Sequence, residues 1–125
     1  MATNRVYEHG TQFEANVSGV TGTGDGGLVM SGDPVVIGQL PGVALTTEDA
    51  DDGMATIQTD GVFDLPVKGE TTTNAAIAVG AIVYYDAAAT PHKLNADSTN
   101  GVRFGYALEA VSSGATTTIR VKIGY

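Results

Sequence analysis

One short pattern is written into this chain twice, and that repetition limits the fold more than any other feature. Within residues 29–45, VMSGDPVVIGQLPGVAL, Val29 stands three positions before Gly32 and Val35 three after it; within residues 77–108, Ile77, Gly80 and Val83 keep the same spacing. Each copy closes on Gly-x-Ala-Leu, as Gly42, Val43, Ala44 and Leu45 and again as Gly105, Tyr106, Ala107 and Leu108. A polar loop and an alternating strand follow, at residues 55–59 and 117–125. The interval between the two marker glycines is longer in the second copy, which places an insertion at residues 87–101. Recurrent short apolar segments around fixed glycines predict two related β units. Residues 1–27 stand before the repeat and read as an N-terminal arm or hairpin followed by a Gly-rich loop. Residues 28–125 read as the β domain, within a single domain overall.

A chain of 125 residues is long enough to bury its own core. Its 17 glycines, abundant threonine and closely spaced turn signals favour strands over helices. The expected fold is all-β: a single compact β-sandwich or jelly-roll-like barrel with two quasi-repeated halves and an N-terminal arm or hairpin. Stability has to come from packing and hydrogen bonds, because the chain has no cysteine for a disulfide or a thiolate metal site. No apolar run reaches membrane-spanning length and the opening MATNRVYEHG is not a secretory signal, so synthesis in the cytoplasm without a membrane partner is expected. The net charge of −8 repels nucleic acid and favours solubility.

Phe13, Ala15 and Val17 alternate with polar neighbours, as in a strand with one buried face. Val35, Val36 and Ile37 form a β-branched run expected to be buried on both faces, with Pro41 and Gly42 turning the chain before Val43. Phe63, Leu65 and Val67 share one face of a strand that Pro66 confines to an edge. Residues 75–79 have room for one helical turn before Gly80. Consecutive Tyr84 and Tyr85 must point to opposite faces, one inward and one to the surface or a partner. The last strand is the cleanest, with Ile119, Val121, Ile123 and Tyr125 on one side and Arg120 and Lys122 on the other. Arg103 joins those two, so half of the six Lys and Arg residues fall late in the chain.

Chemistry is harder to find. Gly22, Gly24 and Gly27 satisfy GxGxxG, but a dinucleotide site needs a strand before the motif and a helix N-terminus after it, and neither is expected here. Asp49 and Asp51 mimic two ligand positions of a calcium loop, yet Gly53 takes the next one, so the acidic segment reads as a solvated turn. His9 and His92 lie in polar turn-like contexts without the neighbours of a nucleophile, base or metal ligand. No catalytic residue, cofactor site or metal site is expected.

Five motifs in order, GDPVV at residues 32–36, GVA at 42–44, GVFDLP at 61–66, VYYD at 83–86 and RVKI at 120–123, resemble those of a tailed-phage family. The opening VYEHG at residues 6–10 extends the likeness almost end to end. That family has been labelled both a predicted RecA/RadA-type phage recombinase and a capsid cement or decoration protein. The resemblance implies a small β body on the outer surface of a phage head, a homo-oligomer (dimer or trimer) bridging major capsid proteins. The recombinase label requires a phosphate loop with its lysine, which this sequence lacks. Under the cement reading Val6, Tyr7, Phe13, Tyr84 and Tyr85 are the expected partner-binding residues. The competing reading is a glycan- or small-molecule-binding domain with Tyr84, Tyr85 or Tyr106 as its platform.

Overall fold

The computed structural model describes residues 11–89 and 93–124. Its strands are β1 (Gln12–Asn16), β2 (Pro34–Ile37), β3 (Leu40–Ala44), β4 (Met54–Gln58), β5 (Gly61–Lys68), β6 (Ile82–Tyr85), β7 (Leu94–Asn95), β8 (Val102–Ala107) and β9 (Thr116–Ile123); the helical content is one 3-10 turn at Asp25–Gly27. They form two antiparallel sheets, ordered β1-β4-β3-β2 and β5-β9-β8-β6-β7. The all-β sandwich expected from the sequence is therefore present. Each half is a meander of three strands whose last strand also pairs with the strand that opens the half, a Greek-key order read from its far end.

The halves repeat in register as well as in order. Val35 faces Gly42 across β2 and β3, and Val83 faces Gly105 across β6 and β8; Ala44 faces Ile57, and Ala107 faces Val121. Both marker glycines at the strand entrances occupy the third position of a turn, Gly32 with φ +94° and Gly80 with φ +86°. In each case the turn closes through a backbone bond, Asp33 N–H to Met30 O at 2.9 Å and Ala81 N–H to Ala78 O at 3.1 Å. Each glycine then donates to the closing strand, Gly32 to Ala44 O and Gly80 to Ala107 O, both at 2.7 Å. The next residue accepts from that same alanine, at 2.9 Å in both halves. Two residues against one is a bulge whose first position demands left-handed backbone, so glycine recurs there.

The second repeated glycine has a different cause. A Cβ on Gly42 would sit 3.0 Å from the Gln58 carbonyl oxygen, and one on Gly105 would sit 2.1 Å from that of Lys122. At Gly105 β8 and β9 approach too closely to admit a side chain, and at Gly42 β3 and β4 leave room only for a tight contact. The Gly-x-Ala-Leu motif is thus the sequence mark of a close crossing, with the alanine buried beneath it.

Several expectations change. The opening strand belongs to the repeat: β1 pairs with β4 as β5 pairs with β9, and Phe13 opposite Ile57 matches Phe63 opposite Val121. Val17 is fully buried, as is Val67 at the matching position. Residues 12–17 are accordingly sheet and core, while the earlier expected strand at residues 5–8 lies outside the described residues. The turn expected at Pro41 and Gly42 is made instead by Gly38 and Gln39, with Gly38 at φ +64°, and Pro41 lies inside β3. β2 is an edge strand whose Val36 and Ile37 are only half-buried, not a strand buried on both faces. Residues 75–79 form an isolated bridge, Ile77 to Val111, and no helical turn. Pro66 does sit on an edge strand, β5.

Apolar side chains gather in two clusters where one common core was expected. Val17, Val29, Val35, Ala44, Ala55 and Ile57 fill the front of the first sheet. The larger cluster lies on the front of the second sheet, around Leu65, Val67, Val83, Phe104, Ile119 and Val121. Val43 joins that second cluster and Val36 packs against it, although both arise from the first sheet. These two residues point from the back of the β2-β3 hairpin, opposite to Val35 and Ala44, so the halves stack front to back.

Candidate functional site

The back of the second sheet is the counterpart of the surface that carries Val36 and Val43, and among the described residues no strand packs over it; Tyr84, Arg103 and Tyr106 are half-buried there and Arg120 and Lys122 exposed. Cross-strand partners share a face, so Tyr84 opposite Arg103, Ile82 opposite Tyr106, Tyr106 opposite Lys122, and Lys122 opposite Val62 form one continuous row. Arg120, opposite Asp64, extends it. Arg103 and Tyr106 are three positions apart and would normally point to opposite sides. The register shift between Val83 and Tyr84 adds one residue to β8 and brings both to this face.

Arg103 is held in place by two contacts with one ring. Its guanidinium donates a hydrogen bond to the Tyr106 hydroxyl and lies 5.4 Å from the ring centroid, a cation–π distance. Arg120 and Lys122 are exposed, and among the described residues neither has a carboxylate within ion-pair distance. Lys68, at the far end of β5, is neutralised by Glu70 at 2.7 Å. Val62 is 51% exposed. The result is an aromatic and cationic face, with Asp64 the carboxylate among its strand positions, on a chain of net charge −8.

The other loops use their polar groups internally. In residues 19–27, the amides of Gly22, Gly24 and Gly27 bond to Gly27 O, Leu28 O and Gly24 O. They are not turned outward to cradle a phosphate, and the motif is not embedded between a strand and a helix. Asp33, 8% exposed, pins this loop to β2: its carboxylate accepts from the Thr23 amide and hydroxyl and from the Met30 amide at 2.8–3.1 Å. A cleft beside it is lined by Thr23, Asp33, Pro34, Pro66 and Leu94. In the acidic segment Glu48 accepts from the Val29 amide, Asp49 from the Asp51 amide and Asp52 from the Met54 amide. Asp49 and Asp52 cap turns locally, while Glu48 ties its segment to Val29. Among the described residues no group of three potential metal ligands converges, and no helix is long and apolar enough to cross a membrane.

The insertion supplies β7 and a polar knot. Asp97 accepts from the Thr99 and Asn100 amides and from the Asn100 side chain. The Asn100 side-chain bond above all, with the two amides, holds the Asp97 carboxyl below its ordinary value despite burial.

A profile of phage cement proteins matches residues 14–123, from β1 through β9. The chain belongs to the phage cement protein family. No curated protein and no solved structure matches it. Family membership carries a structural role at the phage capsid and a place in the virion.

Against that role, the residues expected as anchors fall into different settings. Val6 and Tyr7 lie outside the described residues, as do His9 and His92. Phe13 is half-buried against the first cluster. Tyr85 is 5% exposed and stacks on Phe104 at 6.4 Å, so it is a core residue. Burial, and secondarily the Asp33 charge, push its phenol above the ordinary tyrosine value. Tyr84 is on the open face. The inward and outward tyrosines were legible from alternation alone, whereas the joining of Arg103 to Tyr106 required the bulge, which no local signal marks.

Proposed function

We propose that this protein is a capsid cement that binds the outer surface of an assembled phage head as a homo-oligomer and ties neighbouring major capsid proteins together. The observation that carries this reading is the family match, which runs through both halves and every described strand from β1 to β9. The chemistry agrees. In the acidic segment Asp49 and Asp52 cap turns and Glu48 holds the Val29 amide, and the amides of the Gly-rich loop are consumed within that loop, so the protein offers surfaces and not a reaction centre. Its negative charge keeps it from packaged DNA, and it neither hydrolyses ATP nor exchanges strands. Val6 and Tyr7 add contacts from the segment that precedes β1. Several weak contacts on one symmetric oligomer act together through effective concentration, so shell stability rises steeply with occupancy. The test compares heads assembled with and without the protein. Heads carrying it should bind it at a fixed stoichiometry and resist heat better; heads that neither bind it nor gain stability would reject the reading.

A further inference from the structure

We propose that the back face of the second sheet, built on Tyr84, Arg103, Tyr106, Arg120 and Lys122, is the surface that docks on the shell, and that its counterpart there is a carboxylate-bearing protein surface. This assignment rests on the capsid-binding reading above and adds to it the face and the chemistry of the partner.

Two independent observations lead to this face. The first is the duplication. In the first half the matching positions, Val36 and Val43, are packed against the core of the second half. The fold therefore already uses this side of its repeating unit as a packing surface. In the second half the same positions carry Tyr84 and Tyr106, which combine apolar area with polar tips, and among the described residues no third unit packs on them. A surface with the shape of an internal interface but amphipathic residues suits a partner that comes and goes through water.

The second is charge. With 14 carboxylates against six Lys and Arg, an approaching acidic surface is repelled by most of this chain. Arg120 and Lys122 stand exposed on this face, with Arg103 beside them and Asp64 opposite Arg120. An acidic partner is thus attracted in one orientation and repelled in others, which fixes docking geometry. Arg103 holds the Tyr106 ring in place, so little side-chain freedom is lost there when a partner docks beside Arg120 and Lys122. Val62 and Ile82 supply apolar flanks beside the charges.

The experiment uses the full chain and purified heads of the phage that encodes it, assembled without this protein. Binding is measured by co-sedimentation at low and high salt, with mass in solution followed by light scattering. The double variant Arg120→Glu and Lys122→Glu changes exposed side chains only, and Tyr84→Ser provides a second variant that leaves the charge alone. The expected result is a loss of head affinity of about tenfold or more for the charge reversal, a weaker loss for Tyr84→Ser, and reduced salt sensitivity. Reversing Asp49 and Asp51 to Lys should leave head binding within about threefold, since that segment lies off the face. Wild-type protein that binds while both face variants bind equally well would overturn the face and leave the cement reading intact. Wild-type protein that does not bind would reject the cement reading itself. Variants that keep full head binding but change solution mass would reassign the face to contacts between copies and overturn the proposal.

Discussion

The two halves share one backbone scheme and solve its packing in opposite ways. In the first, the front of the sheet is filled by small residues, with Ala15 and Ala55 where the second half has Leu65 and Ile119. Its back is buried through Val36 and Val43. In the second, the front holds a large cluster that includes Phe104 and Leu94, while among the described residues no strand packs on the back. What the pair teaches is that turns, bulges and crossings are fixed by the repeat, whereas side chains decide which surface of each unit becomes core. The second half is both the heavier core and the outward-looking half.

The strongest way to break this comparison is at the crossing glycines. Gly105→Ala would place a methyl 2.1 Å from a backbone oxygen, and Gly42→Ala one at 3.0 Å. The first should cost roughly 4 kcal/mol or more and prevent folding of a marginal domain, and the second about 1 kcal/mol. Urea unfolding of both variants checks the ranking, and equal losses would show that the closeness of the crossing does not set the cost.

A smaller effect tests the unequal cores. Leu65→Ala gives the second half the residue that the first half uses, and should cost about 3 kcal/mol because Leu65 is 1% exposed. The reciprocal Ala15→Leu overfills the smaller cluster and should cost about 2 kcal/mol. Thermal unfolding of each, and of the pair, measures whether the halves lose stability independently. A stabilised Ala15→Leu would mean that the first half has room not evident from its packing.

Much of this plan was legible in the chain. Glycine spacing marked the two repeated units because a positive φ at Gly32 and Gly80 leaves one residue type acceptable, although Gly42, read as part of a turn, lies at a strand crossing. Strict alternation located the faces of β5 and β9. The role of β1 was missed although Phe13 and Val17 repeat Phe63 and Val67 in identity and spacing, because no glycine marks this strand as it marks the others. Pro41 misled for a related reason: its missing donor costs nothing where β3 has run past the end of β4, whose pairing with β3 stops at Val43 and Gln58. The face made by Arg103 and Tyr106 depends on one extra residue in β8, and its cationic character emerges only when four strands are aligned.

Asp33 sharpens the comparison further, because the second half has Ala81 at the same place in the bulge. Asp33→Ala would strip partners from the Thr23 and Met30 amides in a nearly buried site, at a cost of about 2 kcal/mol. Loosening of the Gly-rich loop, read by amide hydrogen exchange at residues 20–30, should accompany it. Unchanged protection there would show that the loop is held by its own backbone bonds.

The smallest expected effects are the pH limits, and both belong to the second half. Asp97 titrates below the ordinary carboxylate value of 3.8 in the folded chain, so its contribution is complete above that value and is lost as pH falls through it toward the folded pKa. Tyr85 has the opposite sign. Its phenol is raised above 10.0, so the fold favours the neutral form, and its contribution is complete below pH 10 and lost as pH rises past it. The matching residue in the first half is Ile37, which does not titrate, so the alkaline limit has no counterpart there. Ultraviolet titration should show a phase above the ordinary tyrosine value, and Tyr85→Phe should remove that late phase. Asp33→Asn should move the late phase down only in part, because burial is the larger cause and the Asp33 charge the smaller. A late phase that vanishes in Asp33→Asn would reverse that order and make the link between the halves electrostatic, not one of packing.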